Sequence, residues 1–350
     1  MKQRKFALLA LVTLLLITAA LYVSQQTAPQ TGKQTVLLFP EVKEKINDID
    51  RLHIQSADSE VNILQQDGVW VIAELDNYVA LFDKVKQTVV AVSELKLLAE
   101  KTTNAEHYAR LGVEDISADK SNSRLLTLNT ADTSVAGLIV GRPRHSKSPS
   151  DQPGLYVRLP DSKQALLVAG RIDITARPAD WFERNILDIN SSEVKRITIQ
   201  PQGQAEVLLS REAEGAELLL ANVPEDKSAQ AEAITNQIGT LLEGIYVESV
   251  KRETGLQEAT KLSTFTLTTF KGLRVDGQLV QQDEKSYVLF AVSADEPPAD
   301  ADADKDADEQ EHTDTVQQAE TLNQSLSGWG YELPGHKTDL MSKTIDDLTR

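Results

Sequence analysis

The chain has 350 residues, no cysteine, and 53 acidic against 36 basic residues, which gives a formal net charge of −17. This length is enough for two packed units of roughly 100–200 residues each. The lack of cysteine excludes disulfides, thiolate nucleophiles and thiolate metal sites. The acidic balance argues against nucleic-acid binding, because a phosphate-binding face needs clustered Lys and Arg.

The N-terminus has the pattern of a membrane anchor. Basic residues within positions 1–5 precede an uncharged, mostly apolar stretch from Phe6 to Val23. As a helix this stretch would extend about 27 Å, close to the ~30 Å hydrocarbon core of a bilayer. Because basic flanks stay in the cytoplasm, we expect a single transmembrane helix over 6–23 in the cytoplasmic (inner) membrane, in contact with its lipid. The remaining chain is then expected on the periplasmic or extracellular side.

A cleaved signal peptide is the alternative interpretation of this segment. Thr18, Ala19 and Ala20 offer small residues for cleavage, but the apolar run continues through Val23 and is longer than a usual signal core. Residues 24–45 begin rich in Gln, Thr and Pro, and are predicted to form a tether between the membrane and the folded part.

Residues 46–187 predict a first unit that combines strands with one long helix. The predicted strands alternate apolar and polar residues or run apolar between turn signals. They cover 51–55, 60–64, 69–73, 125–129, 137–140, 154–159 and 165–169. A turn is predicted at Asp67-Gly68. A helix is predicted over 79–98 from one apolar stripe, formed by Leu81, Val85, Val89, Val92 and Leu95.

The pattern of the first unit recurs about 145 positions later, which indicates a duplication. The second unit, 188–350, has a predicted helix over 229–245 and strands that include 265–270, 273–280 and 287–292. In this alignment Glu217 stands where Trp70 stands in the first unit. The predicted fold class is α+β: two tandem homologous units behind a transmembrane helix, each a mainly antiparallel sheet with one principal amphipathic helix.

An acidic tract interrupts the second unit. Residues 295–314 contain ten acidic residues and one basic residue, Lys305. Like charges repel and few apolar side chains are present to bury, so the tract is predicted to be a disordered insertion. A calcium loop is the alternative, because four acids match its ligand spacing, but Lys305 stands where such a loop needs Gly. The acids in question are Asp300, Asp302, Asp304 and Glu311.

No motif in the sequence predicts catalysis or a cofactor. The five histidines lack metal-ligand spacing, and no nucleophile elbow or phosphate-binding loop is present. We therefore expect no catalytic residue, no metal and no cofactor.

Two features are candidate contact sites. A compact basic cluster could bind an anion or an acidic partner, and otherwise forms a solvated loop. It consists of Arg142, Arg144, His145 and Lys147. Trp329, in a Gly-Trp-Gly-Tyr sequence, could stack on a sugar ring, and otherwise packs in the core.

The order of several motifs resembles a known family. Gly68-x-Trp70-x-Ile72 precedes an apolar helix and then Leu111-Gly112-Val113, and a late Gly-Trp-Gly-Tyr-Glu-Leu-Pro run begins at Gly328. This resembles the domain of unknown function 4340 family, which consists of exported, membrane-anchored bacterial proteins often encoded beside gliding-type ABC transporter components. The resemblance implies an accessory role in the cell envelope and transfers no catalytic residue.

The sequence therefore favours a non-enzymatic, membrane-anchored accessory protein of the cell envelope. Protein partners in an ABC-type transport complex are expected. The alternative is an envelope module that binds glycan or lipid through Trp329 or through the basic cluster.

Overall fold

The computed structural model describes residues 36–131, 133–145, 153–230, 232–295 and 305–350. They form a mixed α/β fold with two large antiparallel sheets and few helices. The predicted anchor 6–23, most of the predicted tether and Lys147 lie outside the described residues.

The first sheet has nine strands, in the order β4-β3-β2-β1-β6-β7-β8-β9-β5. The elements of this part of the chain are α1 (Pro40–Glu44), β1 (Arg51–Gln55), β2 (Glu60–Gln66), β3 (Val69–Ile72), β4 (Tyr78–Val79), α2 (Phe82–Ser93), β5 (Lys96–Glu100), α3 (Tyr108–Leu111), β6 (Arg124–Asn129), β7 (Ser134–Arg144), β8 (Gly154–Arg158) and β9 (Ala165–Ala169).

The second sheet has eight strands, in the order β13-β12-β11-β16-β17-β18-β19-β15, and β10 pairs separately with β14. Apart from the extra strand β4, the two sheets have the same order of connections. The elements are β10 (Asn185–Leu187), β11 (Val194–Pro201), β12 (Val207–Ser210), β13 (Leu219–Leu220), α4 (Glu232–Gly239), β14 (Ile245–Tyr246), β15 (Ser249–Arg252), β16 (Thr260–Thr269), β17 (Leu273–Gln282), β18 (Lys285–Ala294), α5 (Lys305–Leu326), β19 (Trp329–Glu332), α6 (Gly335–Met341) and α7 (Ile345–Leu348).

Alternation along the strands places one face of each sheet in the core. In β1, Leu52 and Ile54 are fully buried while Arg51 is exposed. Val85 and Val92 of α2 belong to the same core cluster, as the apolar stripe predicts, whereas Leu81, the first residue of that stripe, precedes α2 and is exposed. Each buried apolar side chain contributes roughly 1.5–3 kcal/mol by leaving water.

Hairpin turns fix the register of the pairs. The predicted turn at Asp67-Gly68 is confirmed: both residues have positive φ, 49° and 83°, and they join β2 to β3. Asp283 and Glu284, with φ of 51° and 66°, join β17 to β18 in the same way. The right-handed twist of the flanking strands favours such turns.

Both predicted helices are shorter in the structure than the sequence indicates. Residues 79–98 contain α2 only between Phe82 and Ser93, because the following residues pair in β5. Residues 229–245 contain α4 only to Gly239, and Ile245, the last residue of the predicted helix, lies in β14. Gly239 lowers helix propensity at that point.

The acidic tract is not disordered over its second half. Residues 305–314 lie in α5, so the predicted disordered insertion over 295–314 is wrong there, while 296–304 lie outside the described residues. The physical reason lies further along the helix, where Thr315, Ala319 and Leu326 are buried at helical spacing against β18. Of the calcium-loop candidates, only Glu311 is described, and its Oε1 lies 3.4 Å from Lys271 Nζ.

Strand pairing also corrects the alignment of Trp70. Leu209 pairs with Leu220, as Ile63 pairs with Ile72 in the first sheet. Leu218, rather than Glu217, therefore occupies the position of Trp70, and both Leu218 and Trp70 are buried.

Candidate partner-binding surface

Four exposed apolar side chains lie where β3, β4 and α2 meet. Their exposed fractions are 46% for Val69, 56% for Val79, 36% for Leu81 and 58% for Phe82. Val71 pairs with Val79, and the pairing continues as the Ala80 N–H donates to the Trp70 carbonyl at 2.8 Å. Because alternate strand residues share a face, Val69, Val79 and Leu81 project from the same side of the sheet. Together with Phe82, these residues form what we call the apolar corner.

The opposite face of the same two strands belongs to the core. Trp70 and Ile72 are buried, and Tyr78 is half-buried. A strand pair at the surface usually carries polar residues on its solvent side, so apolar residues on both faces are unusual. Single exposed apolar residues are common on proteins, whereas a contiguous group of them marks a binding surface.

The start of α2 is held firmly in place. The Leu81 N–H donates to the Trp181 carbonyl at 2.7 Å. Lys84 Nζ donates to the Asp180 carbonyl at 2.7 Å and lies 4.6 Å from the centre of the Trp181 ring. Burial lowers the pKa of Lys84, and the Asp180 charge opposes that shift. The corner is thus preorganised, which reduces the entropy lost when a partner binds.

The exposed side of α2 extends this surface. A shallow depression of about 390 Å³ lies on it, lined by Asp83, Lys86, Gln87, Val90, Ala91 and Glu94. An apolar centre with a charged rim is the usual composition of a protein–protein contact.

An aromatic cluster next to the corner joins the two sheets. The Tyr78 ring contacts Trp329 edge-on at 4.7 Å and Phe182 at 5.4 Å between ring centres. The Arg252 guanidinium lies 4.2 Å over the Trp329 ring, and the Arg252 N–H donates to Asp76 Oδ2 at 3.0 Å. Burial raises the pKa of the Tyr78 hydroxyl. We call this cluster the joint.

The structure separates the candidate contact residues into two places. Arg142 and Arg144 lie at the end of β7, so these two members of the basic cluster are in a strand rather than in a solvated loop, and exposed His145 follows directly. Trp329 is half-buried in the joint, where it contacts β4, which lies five strands from β7 in the sheet order. Arg142, Arg144 and His145 therefore lie together at the end of β7, and Trp329 is not near them.

Within the described ranges, no three His, Asp or Glu side chains come together in a way that could hold a metal ion. His53 is among the described histidines, and its Nε2 lies 3.4 Å from Glu60 Oε2 on the neighbouring strand.

Two buried cations were not singled out by the sequence. Arg158 Nε donates to the Val113 carbonyl at 2.9 Å, and its guanidinium also pairs with Asp115. Lys337 Nζ donates to the carbonyls of Thr240 and Glu243, each at 2.6 Å. Burial lowers the pKa of Lys337. Both cations satisfy carbonyls that lie outside regular strands, which is a structural role.

In the described part of the chain, no helix combines the length and apolar character needed to cross a bilayer. What the described residues define is a mixed α/β protein of two antiparallel sheets with an exposed apolar corner. A family model described as a domain of unknown function, DUF4340, matches residues 70–289. The match covers more than half of the chain, so the chain belongs to this family, and the resemblance noted in its motifs is confirmed. No curated protein matches the chain.

Proposed function

We propose that this chain is a non-enzymatic accessory protein of the cell envelope, anchored in the cytoplasmic membrane by residues 6–23, that works by protein contact within an ABC-type transport complex. The single observation that carries the proposal is the apolar corner, a preorganised apolar surface beside the joint of two sheets. The basic N-terminus followed by an apolar segment supports the anchor. The transport context is supported by the resemblance described above, because proteins of this family are often encoded beside ABC transporter components.

We further propose that the described part consists of two tandem homologous units. The shared order of strands supports a duplication. In addition, a short segment before the first strand of each sheet pairs with a strand that follows the helix, through Leu37 with Lys96 and through Leu187 with Ile245.

Side chains that cover a backbone N–H of β2 and of β12 also support the duplication. In the first unit the Glu74 carboxylate accepts the Asn62 N–H of β2 at 3.0 Å. In the second unit the Asn222 side chain accepts the Leu208 N–H of β12 at 3.0 Å. Two side chains in corresponding places thus cover the same exposed backbone group.

The proposal is tested by purifying the tagged full-length chain from native membranes in mild detergent and identifying bound proteins by mass spectrometry. We expect a permease and an ATPase of an ABC-type system to be recovered. The double substitution Val79→Glu and Phe82→Glu should reduce their recovery at least fivefold, while Val36→Glu, at another exposed valine, should leave it within twofold. Equal recovery with the double variant would refute a role for the corner.

Binding of glycan or lipid is the second candidate. The ring of Trp329 is already in contact with Arg252 and Tyr78. The feature that favours binding of glycan or lipid is therefore the end of β7, with Arg142, Arg144 and His145. Retention of the chain on purified cell wall, or on vesicles with anionic lipid after removal of residues 1–23, would support this candidate. Loss of that retention in Arg142→Ala/Arg144→Ala would assign it to β7.

A further inference from the structure

Strand β13 is the end strand of the second sheet, and within the described residues it has a strand neighbour only on the side of β12. In the first sheet the strand in the same position, β3, is followed by β4. The first sheet therefore shows how a further strand binds at a position where the second sheet has no further strand among the described residues, although α4 also contacts β13.

The backbone of β3 shows which groups such a strand uses. The Trp70 carbonyl accepts the Ala80 N–H at 2.8 Å, and the Ile72 carbonyl accepts the Asn77 N–H at 3.1 Å. Backbone groups of alternate residues in an end strand point away from the sheet, so Trp70 and Ile72 present theirs to β4.

By register, Leu218 and Leu220 hold these positions at β13. The Leu218 N–H donates to Asn236 Oδ1 of α4 at 3.1 Å. This bond leaves the Leu218 carbonyl and both backbone groups of Leu220 directed outward. Such a row of groups is a template for an added strand.

The residue between these two positions also differs in exposure between the two sheets. Val71 of β3 is 7% exposed because Val79 of β4 lies opposite, whereas Leu219, in the corresponding position of β13, is 53% exposed. An added strand with an apolar residue opposite Leu219 would cover it as Val79 covers Val71. At about 25 cal/mol per Å² of apolar surface, this burial favours binding.

The sequence that flanks this edge is acidic, which favours a basic partner. Residues 206–226 contain six acidic residues and one basic residue, Arg211. A second copy of the chain would bring like charges together, whereas a basic segment would meet opposite charge.

We propose that the edge formed by Leu218, Leu219 and Leu220 binds an extended segment of a partner protein, in which an apolar residue is flanked by Lys or Arg, and that the segment adds to β13 as β4 adds to β3. This surface is separate from the apolar corner, which lies on the other sheet. A failed test here leaves the proposed function of the corner untouched.

The test uses the full-length chain in detergent and a labelled synthetic peptide, Lys-Val-Lys-Val-Lys, with blocked termini. Fluorescence anisotropy measures binding, and hydrogen exchange measures protection of the Leu220 amide. We expect saturating peptide to slow exchange at Leu220 at least tenfold. Leu219→Lys should weaken binding at least tenfold, while Val36→Lys should leave it within twofold. Unchanged hydrogen exchange at the Leu209 amide of the Leu219→Lys variant would show that the second sheet is intact.

Two control peptides make the outcome specific. Glu-Val-Glu-Val-Glu should bind at least tenfold more weakly because of charge, and replacing the central Lys of Lys-Val-Lys-Val-Lys by Pro should do the same by removing a donor from the added strand. Equal binding of either control, or no protection at Leu220, would overturn the proposal. Protection of Leu220 that rises with protein concentration without peptide would instead show self-association, which also overturns it.

Discussion

At the residue scale, the buried cations explain much of the stability of the loops. Arg158 is buried and its guanidinium donates to the carbonyls of Val113 and Ser162, at 2.9 and 3.0 Å. It also lies 4.9 Å over the ring of Tyr108. Removal of this side chain would leave several buried acceptors without a donor, which costs more than the net value of the bonds themselves.

We therefore expect Arg158→Ala to lower the free energy of unfolding by roughly 3 kcal/mol, as for other broken buried networks. Arg177→Ala is the matched control, because Arg177 is largely exposed and pairs with Asp180 at 2.9 Å. An exposed pair contributes about 0–1 kcal/mol. Urea denaturation measures both, and equal losses in the two variants would contradict the structural role of Arg158.

Because of Asp276, the free energy of unfolding should depend on pH in the acidic range. Burial alone would raise the pKa of this carboxyl, but hydrogen bonds from Arg274 and Thr266 outweigh burial and the pKa is lowered. A lowered folded-state pKa contributes stability above the ordinary Asp value, and this contribution is lost as pH falls through the folded-state pKa. We expect Asp276→Asn to be less stable than the parent at pH 7, and the difference to narrow as the pH falls through the lowered folded-state pKa of Asp276. Chemical denaturation at several pH values tests this, and a gap that does not narrow in acid would contradict it.

Some of these residues could be identified in the sequence and others could not. Trp70 is buried as its apolar run predicts. Arg158 is the last residue of β8, but its acceptors at Val113 and Ser162 come from two separate loops. No local sequence pattern predicts that these two loops lie beside Arg158. The position of Trp329 beside Tyr78 likewise depends on how the two sheets pack.

At the scale of elements, α5 shows how composition and periodicity can disagree. The acidic first half of α5, residues 305–314, favours disorder by its charge, whereas Thr315, Ala319 and Leu326 share a helical face that contacts the second sheet. Packing of this face offsets the repulsion among the acids, because tertiary contact contributes most of the stability of a helix in a protein.

Leu326→Ala should therefore destabilise the chain by about 2–5 kcal/mol, as large-to-small changes do in a core. Gln324→Ala, an exposed position on the same helix, should change stability by less than about 0.5 kcal/mol. Thermal or urea unfolding provides the measurement. A small effect of Leu326→Ala would mean that α5 does not support the second sheet.

The long central strands were predictable, and the short edge strands were not. Alternation identified β1, β6, β9 and the hairpin of β17 and β18 within a few residues. Strands β5 and β15 carry little alternation, and each pairs with a strand distant in sequence, β9 and β19. Tertiary pairing rather than intrinsic preference determines these two strands.

At the scale of the whole molecule, the joint determines whether the two sheets behave as one body. Arg252 links to Asp76 through its backbone and covers Trp329, which in turn contacts Tyr78. Asp76 and Asn77 both have positive φ, at 52° and 62°, a conformation that costs free energy for residues other than Gly. The surrounding contacts hold this turn in place.

We expect Trp329→Ala to uncouple the two sheets, so that a single unfolding transition in the parent chain becomes two. Loss of the ring removes contacts to both Tyr78 and Arg252. Tyr246→Ala, an exposed aromatic stacked on Arg184 at 4.0 Å, is the control and should keep one transition. Differential scanning calorimetry distinguishes the cases, and one transition in Trp329→Ala would show that the joint is not the coupling element.

We propose that the apolar corner contacts a component of an ABC-type transport system. Photo-cross-linking in the native host tests this contact, with a photoreactive amino acid replacing Phe82 in one variant and Tyr246 in another. We predict that position 82 forms a covalent adduct with a permease or ATPase of such a system and that position 246 does not. Adducts of equal yield at the two positions, or adducts of position 82 with lipid or glycan alone, would show that the corner does not make this contact.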